Sequence, residues 1–218
     1  GDWSSDVCSS DLEYFLEKVQ APFFAYYLKD KGARDFPQAL TFEAGANEWR
    51  RWEQWPPTKL TETRSLMLGP REALTLSGTG SREPGTDSGF DEFVSDPAHP
   101  VPYRQRPIQA TYFPGGSKWS TWLVEDQRFV DDRADVLSWE TAPLDADVTI
   151  AGEITAHLFA STTGSDADWI VKLIDVYPED NPSNWALAGY QLMVSNEVFR
   201  GRYREGFEKP KAIEPNKV

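Results

Sequence analysis

The first regular pattern in the chain is an amphipathic segment between Glu13 and Gly32. Apolar side chains recur there at helical spacing, at Phe23, Phe24, Tyr27 and Leu28. Pro22 suits the first turn of a helix, where its missing N–H is not needed, and Gly32 is a natural C-terminal stop. The pattern therefore predicts a helix over 13–32.

A short apolar run, Ala39–Glu43, predicts a strand, and an aromatic segment from Asn47 follows it. This segment ends in Pro56-Pro57, which interrupts regular structure and predicts a domain boundary. Its tryptophans, Trp49, Trp52 and Trp55, could form a sugar platform, but packing against a neighbouring domain is the favoured interpretation because large aromatic side chains dominate buried interfaces.

The pattern after Pro57 changes to that of strands. Ser65–Leu68 and Ala73–Leu76 flank the turn signal Gly69-Pro70. Residues 147–160 alternate apolar and polar, with a bulge expected at Gly152, and residues 169–177 are apolar on both faces except at Lys172 and Asp175. A further strand pair is predicted from two runs, Gly189–Val194 and Val198–Arg204.

Short strands separated by turn signals predict a mainly β chain that folds as a sandwich. The side chains expected in its core are Ile150, Ile154, Leu158, Trp169, Val171 and Leu173.

The composition supports a packed domain and argues against some classes of binding partner. Hydrophobic residues make up 39% of 218 residues, nine of them Trp, which argues against disorder. A net charge of −13 opposes binding to nucleic acids and to anionic membranes, and no apolar run is long enough to span a bilayer.

Catalytic chemistry is not indicated by the residues present. The G-x-S-x-G pattern of a serine nucleophile is absent, and Ser77, Ser81 and Ser117 are interpreted as turn serines. Neither His99, in a proline-rich loop, nor His157, on the polar side of an alternating run, is expected to act as a base. The carboxylate-rich stretches 125–135 and 166–180 lack EF-hand spacing, so neither a metal nor a cofactor is expected.

Five segments in order resemble the cocaine esterase and α-amino-acid ester hydrolase family of serine hydrolases, which is related to the X-Pro dipeptidyl-peptidases. They are 42–57 (FEAGANEWRR to WPP), 95–102 (SDPAHPVP), 131–137 (DDRADVL), 166–178 (DADWIVKLIDVYP) and 199–204 (FRGRYR). Residues 119–130 (WSTWLVEDQRFV) and 189–192 favour the α-amino-acid ester hydrolase branch.

The resemblance implies an organisation for the chain. Residues 13–57 would be the last helix and strand of an α/β-hydrolase domain, and residues 58–218 a truncated jelly-roll sandwich. The serine–histidine–aspartate triad would lie upstream of Glu13. Tyr112 and Phe113, which follow the 95–102 segment, would line the acyl pocket. The family also suggests a periplasmic or secreted protein.

The first residues have a different origin in this interpretation. Asp2–Leu12 (DWSSDVCSSDL) is similar at every position to one reading frame of a common sequencing adapter. We therefore set residues 1–12 apart from the fold, together with Cys8, the single cysteine of the chain. On this interpretation the rest of the chain has no thiol chemistry.

The sequence thus supports a non-catalytic part of a hydrolase that acts on small esters, amides or peptides of α-amino acids. An X-Pro dipeptidyl-peptidase or general acyl esterase is one alternative, and a carbohydrate-binding jelly-roll module is another. The sequence also leaves open whether the protein forms a homo-oligomer.

Overall fold

A computed structural model describes residues 12–77, 89–102, 107, 121–131, 133–182 and 184–218. These residues fall into two compact units. The first lies within Gly1–Thr63 and Asp145–Ile154, and the second within Arg64–Leu144 and Thr155–Val218.

The first unit begins with the predicted helix. A π-helical stretch, Phe15–Gln20, continues into the α-helix α1, Ala21–Lys29, with Pro22 in its first turn. The C-cap, Asp30, adopts a left-handed conformation, so the helix ends two residues before the predicted glycine. Its aromatic side chains pack against Phe36, whose ring centre lies 5.4 Å from that of Phe23. The predicted helix is confirmed.

An antiparallel hairpin follows in the same unit. Strand β1, Ala39–Glu43, pairs with strand β2, Glu48–Trp52, in the register Phe42 opposite Trp49. The aromatic segment is therefore partly a strand. Trp49 stacks on Tyr14 with ring centres 5.3 Å apart, and Trp52 Nε1 donates to Thr41 Oγ1 at 2.9 Å. These contacts fasten the hairpin internally and to the start of the helical region.

The second unit contains two further strand pairs. Strand β3, Ser65–Leu68, pairs with β4, Leu74–Ser77, as the turn signal at Gly69-Pro70 predicts. Strand β5, Asp168–Val176, pairs antiparallel with β6, Gln191–Arg200, with an irregularity between Leu173 and Ile174. Two short helices, α2, Thr121–Val124, and α3, Arg128–Asp131, precede β5. Single 3₁₀ turns lie at Trp185–Leu187 and Gly201–Tyr203.

The structure corrects two sequence-based expectations. Residues 189–204 do not form a hairpin: β6 runs unbroken through Ser195, Asn196 and Glu197, because these polar residues pair in register with residues 171–173 of β5. Residues 147–160 form none of the described strands, and Ile150, Ile154 and Leu158 are about half exposed.

Burial on β5 is also less than expected. Trp169 and Leu173 are half-buried, and Val171 is 36% exposed. Among the described residues, Val130 at 7% exposure is the one hydrophobic side chain that is buried. In the described residues each strand pairs with a single other strand, so each strand of a pair has one edge without a strand neighbour.

Candidate functional site

Neither histidine lies beside a serine in the described part of the chain. His99 Nδ1 contacts Asp96 Oδ2 at 2.7 Å, and the His99 side chain is 82% exposed. His157 lies on the exposed 147–160 segment. In the described part of the chain neither ring is hydrogen-bonded to a serine. The predicted site residues Tyr112 and Phe113, like Ser81 and Ser117, lie outside the described residues.

Arg133 joins two of the sequence motifs. Its guanidinium makes a bidentate contact with the carboxylate of Asp135, at 2.7 Å to each oxygen, and donates to the backbone oxygen of His99 at 2.7 Å. The hydrogen bond from Arg133 lowers the pKa of Asp135, and the hydrogen bond from His99 lowers the pKa of Asp96. Segments 95–102 and 131–137 are thus held together by a planar, permanently charged group.

A second polar cluster lies beside the β5–β6 pair. Gln127 is 2% exposed, and its backbone N–H donates to the carbonyl of Gln191 at 3.0 Å. Its side-chain oxygen accepts from Lys172 Nζ at 2.5 Å, while its Nε2 donates to the carbonyl of Glu125 at 2.7 Å. Each side-chain atom of this buried amide therefore has a partner, as buried polar groups require.

Tyr190 and Asp126 extend this cluster. The Tyr190 hydroxyl donates to the carbonyl of Val124, and burial raises the pKa of Tyr190. Burial alone would raise the pKa of Asp126, but hydrogen bonds from Arg128 and Gln191 outweigh it, so the pKa is lowered. The carboxylate stays charged because it is paired, and it anchors the start of α3 to β6.

A third cluster closes the end of the β5–β6 pair. Asp166 pairs with Arg202, and Asp168 pairs with Arg200 at 3.2 Å. Between them the N–H of Gly201 donates to the carbonyl of Ala167 at 2.9 Å. The hydrogen bond from Arg202 lowers the pKa of Asp166. These contacts fix the last predicted motif, 199–204, against the start of β5.

These clusters are structural ties between motifs. Among the described residues no group of three or more histidine, cysteine, aspartate or glutamate side chains could hold a metal ion. None of the described helices has the length and apolar character needed to cross a bilayer.

Sequence reasoning identified Lys172 and the acidic stretches but missed Gln127 and Arg133. A single amide or guanidinium in a polar segment gives no sign that it will be buried or will bind two segments at once.

The described residues form a strand-rich chain whose polar clusters tie the sequence motifs together. The chain belongs to the family of X-Pro dipeptidyl-peptidase C-terminal non-catalytic domains, which it matches over residues 20–218. The predictions of this family and of a mainly β fold are confirmed.

Two solved structures resemble the chain closely. An aminopeptidase from a marine sediment Thaumarchaeota archaeon is 47% identical with a TM-score of 0.82, and an α-amino acid ester hydrolase is 44% identical with a TM-score of 0.78. Each match covers 94% of this chain and 33% of the other. The cocaine esterase of Rhodococcus sp. (strain MB1 Bresler) is 31% identical over 185 residues, which are 84% of this chain and 29% of that protein.

Proposed function

We propose that this chain is the non-catalytic part of a serine hydrolase that cleaves esters or amides of α-amino acids through an acyl-enzyme. The catalytic serine, histidine and aspartate would belong to a preceding α/β-hydrolase domain. Residues 13–57 would be the last elements of that domain, and residues 58–218 the jelly-roll domain. No cofactor enters this chemistry.

The observation that best supports this proposal is that the relatives differ in their sequence identity to the chain. The aminopeptidase and the α-amino acid ester hydrolase are 47% and 44% identical to the chain, whereas cocaine esterase is 31% identical. The names of the first two describe a peptidase and a hydrolase of α-amino acid esters. This gradient supports a parent enzyme that recognises an α-amino acid acyl group rather than a general acyl esterase.

Domain exchange tests the proposal. Residues 13–218 would replace the matching third of the solved α-amino acid ester hydrolase, with the same enzyme lacking that third as the control. We expect the chimera to hydrolyse phenylglycine methyl ester and the deleted enzyme to be inactive. A chimera that folds, by circular dichroism, but has lost this ester activity would contradict the proposal.

The same chimera shows whether this chain shifts the substrate preference of the donor enzyme. The family description includes X-Pro dipeptidyl-peptidases, so alanyl-proline p-nitroanilide is the substrate that would favour that branch.

Tyr112 and Phe113 are proposed to line the acyl pocket on the family resemblance. Tyr112→Ala and Phe113→Ala should then raise KM for phenylglycine methyl ester, whereas equal values in the variants and the parent chimera would remove them from the pocket.

A further inference from the structure

Lys172 has an unusual setting for a lysine. It lies in the middle of β5 and lines a cleft on one side of the β5–β6 pair. The apolar wall of this cleft consists of Pro102, Phe129 and Met193. An amine flanked by an apolar wall is a nucleophile beside a surface that can hold a hydrocarbon group.

The Lys172 amine has a fixed neutral partner. Its Nζ lies 2.5 Å from Oε1 of Gln127, a side chain that is 2% exposed and is itself held by the carbonyl of Glu125. Within the described part of the chain no carboxylate lies within 4.0 Å of Nζ. An amide oxygen compensates an ammonium charge less than a carboxylate does, so the half-buried cation is less fully compensated than it would be in a salt bridge.

The groups that face Lys172 come from three directions. The segment before α3 contributes Glu125, which is the charged side chain among these groups. Helix α3 contributes the Phe129 ring, whose centre is 5.9 Å from Nζ. Strand β6 contributes Asn196, which lies directly opposite Lys172. Burial lowers the pKa of Lys172, and the charge of Glu125 opposes that change. The neutral, nucleophilic amine is therefore populated at a lower pH than in an exposed lysine.

We propose that Lys172 is an acyl acceptor, a site at which activated esters with a small apolar acyl group modify the chain. The Nζ lone pair attacks the ester carbonyl carbon, a C–N bond forms, and the C–O bond to the leaving group breaks. The leaving oxygen departs with the electron pair of that bond, and the nitrogen loses one proton. The product amide keeps an N–H that can donate to Gln127 Oε1, and its acyl group rests against Pro102, Phe129 and Met193.

Acetylation of the whole chain by p-nitrophenyl acetate tests this proposal. The rate at each lysine is followed by peptide mass spectrometry as a function of pH, with the exposed Lys209 as the internal control. We expect Lys172 to be acetylated about threefold or more faster than Lys209 near about pH 7, with its rate–pH curve displaced to lower pH.

Matched substitutions sharpen the result. Glu125→Gln removes the charge that raises the pKa of Lys172, so the curve for Lys172 should move further to lower pH, whereas Glu208→Gln should leave it unchanged. Lys172→Arg confirms the assignment, since the modified peptide should disappear. The proposal is overturned if Lys172 reacts no faster than Lys209, if its curve coincides with that of Lys209, or if it reacts only after urea has unfolded the chain.

Discussion

Strand β5 and segment 147–160 are both rich in apolar side chains, but they differ in what surrounds them. β5 pairs with β6 along its whole length, and charged pairs close one end of that ladder. Segment 147–160 takes part in none of the described strand pairings, and its apolar side chains are about half exposed. Alternation therefore specifies which side chains share a face, whereas a strand also needs a neighbour that accepts and donates backbone hydrogen bonds.

Gly152 marks the difference at the level of the backbone. Its φ of +102° lies in a backbone region that residues other than glycine rarely adopt. A Cβ added at this position would lie 3.2 Å from Cβ of Pro56. No strand lies on either side of Gly152 in the described residues, so the predicted strand with a bulge at this position is wrong.

The largest expected effect comes from filling the space at Gly201. A Cβ there would meet Ile213 Cδ1 at 2.5 Å, and Trp169 Cζ3 and the carbonyl oxygen of Ala167 at 2.8 Å. Because backbone has to move, Gly201→Ala should destabilise the second unit by about 2–3 kcal/mol in urea unfolding followed by circular dichroism. Gly89→Ala is the control, since nothing lies within 4 Å of its added Cβ. Equal urea midpoints for the two variants would show that the start of β5 is loosely packed.

Removal of the Trp169 side chain should have the next largest effect. Trp169 is half-buried and its ring centre lies 6.1 Å from that of Phe199 across the strand pair. Trp169→Ala should cost about 2 kcal/mol, which is less than the 3–5 kcal/mol typical of a fully buried aromatic side chain. A loss as large as that for a buried tryptophan would mean that the side chain is more enclosed than the structure shows.

Acid should weaken the same end of the sheet. The pKa of Asp166 is lowered by its hydrogen bond from Arg202, so its contribution to stability is present above the ordinary aspartate pKa and is lost as pH falls through the lowered value. The urea midpoint should fall on acidification below about pH 4, and it should fall less in Asp166→Asn. Parallel curves for the two proteins would assign the acid sensitivity to other carboxylates.

The smallest effect is expected in segment 147–160. Ile154 is 50% exposed, so Ile154→Ala should change the free energy of unfolding by no more than about 0.5 kcal/mol. Thermal unfolding of this variant beside Trp169→Ala makes the comparison direct. A loss at Ile154 that equals the loss at Trp169 would mean that the segment finds a partner in solution and is buried there.

Local chemistry made the β3–β4 hairpin and the helix predictable. Gly69-Pro70 set the turn between β3 and β4, and Pro22 with the recurring aromatic residues set α1. The sequence could not show that Ser195–Glu197 continue a strand, because polar residues on an exposed face resemble a turn until their partners on β5 are known. The buried amide of Gln127 was equally hidden, since its partners Lys172 and Gln191 lie 45 or more positions away.

Ala73 and Glu140 lie side by side in a parallel bridge, with Leu74 donating to the carbonyl of Glu140 at 2.8 Å and Glu140 donating to that of Glu72 at 2.9 Å. The two ends of the intervening stretch are thereby tied together independently of what lies between them. The bridge therefore gives the start of β4 a second backbone neighbour besides β3, so residues 72–74 and Glu140, far apart in the sequence, form one local unit.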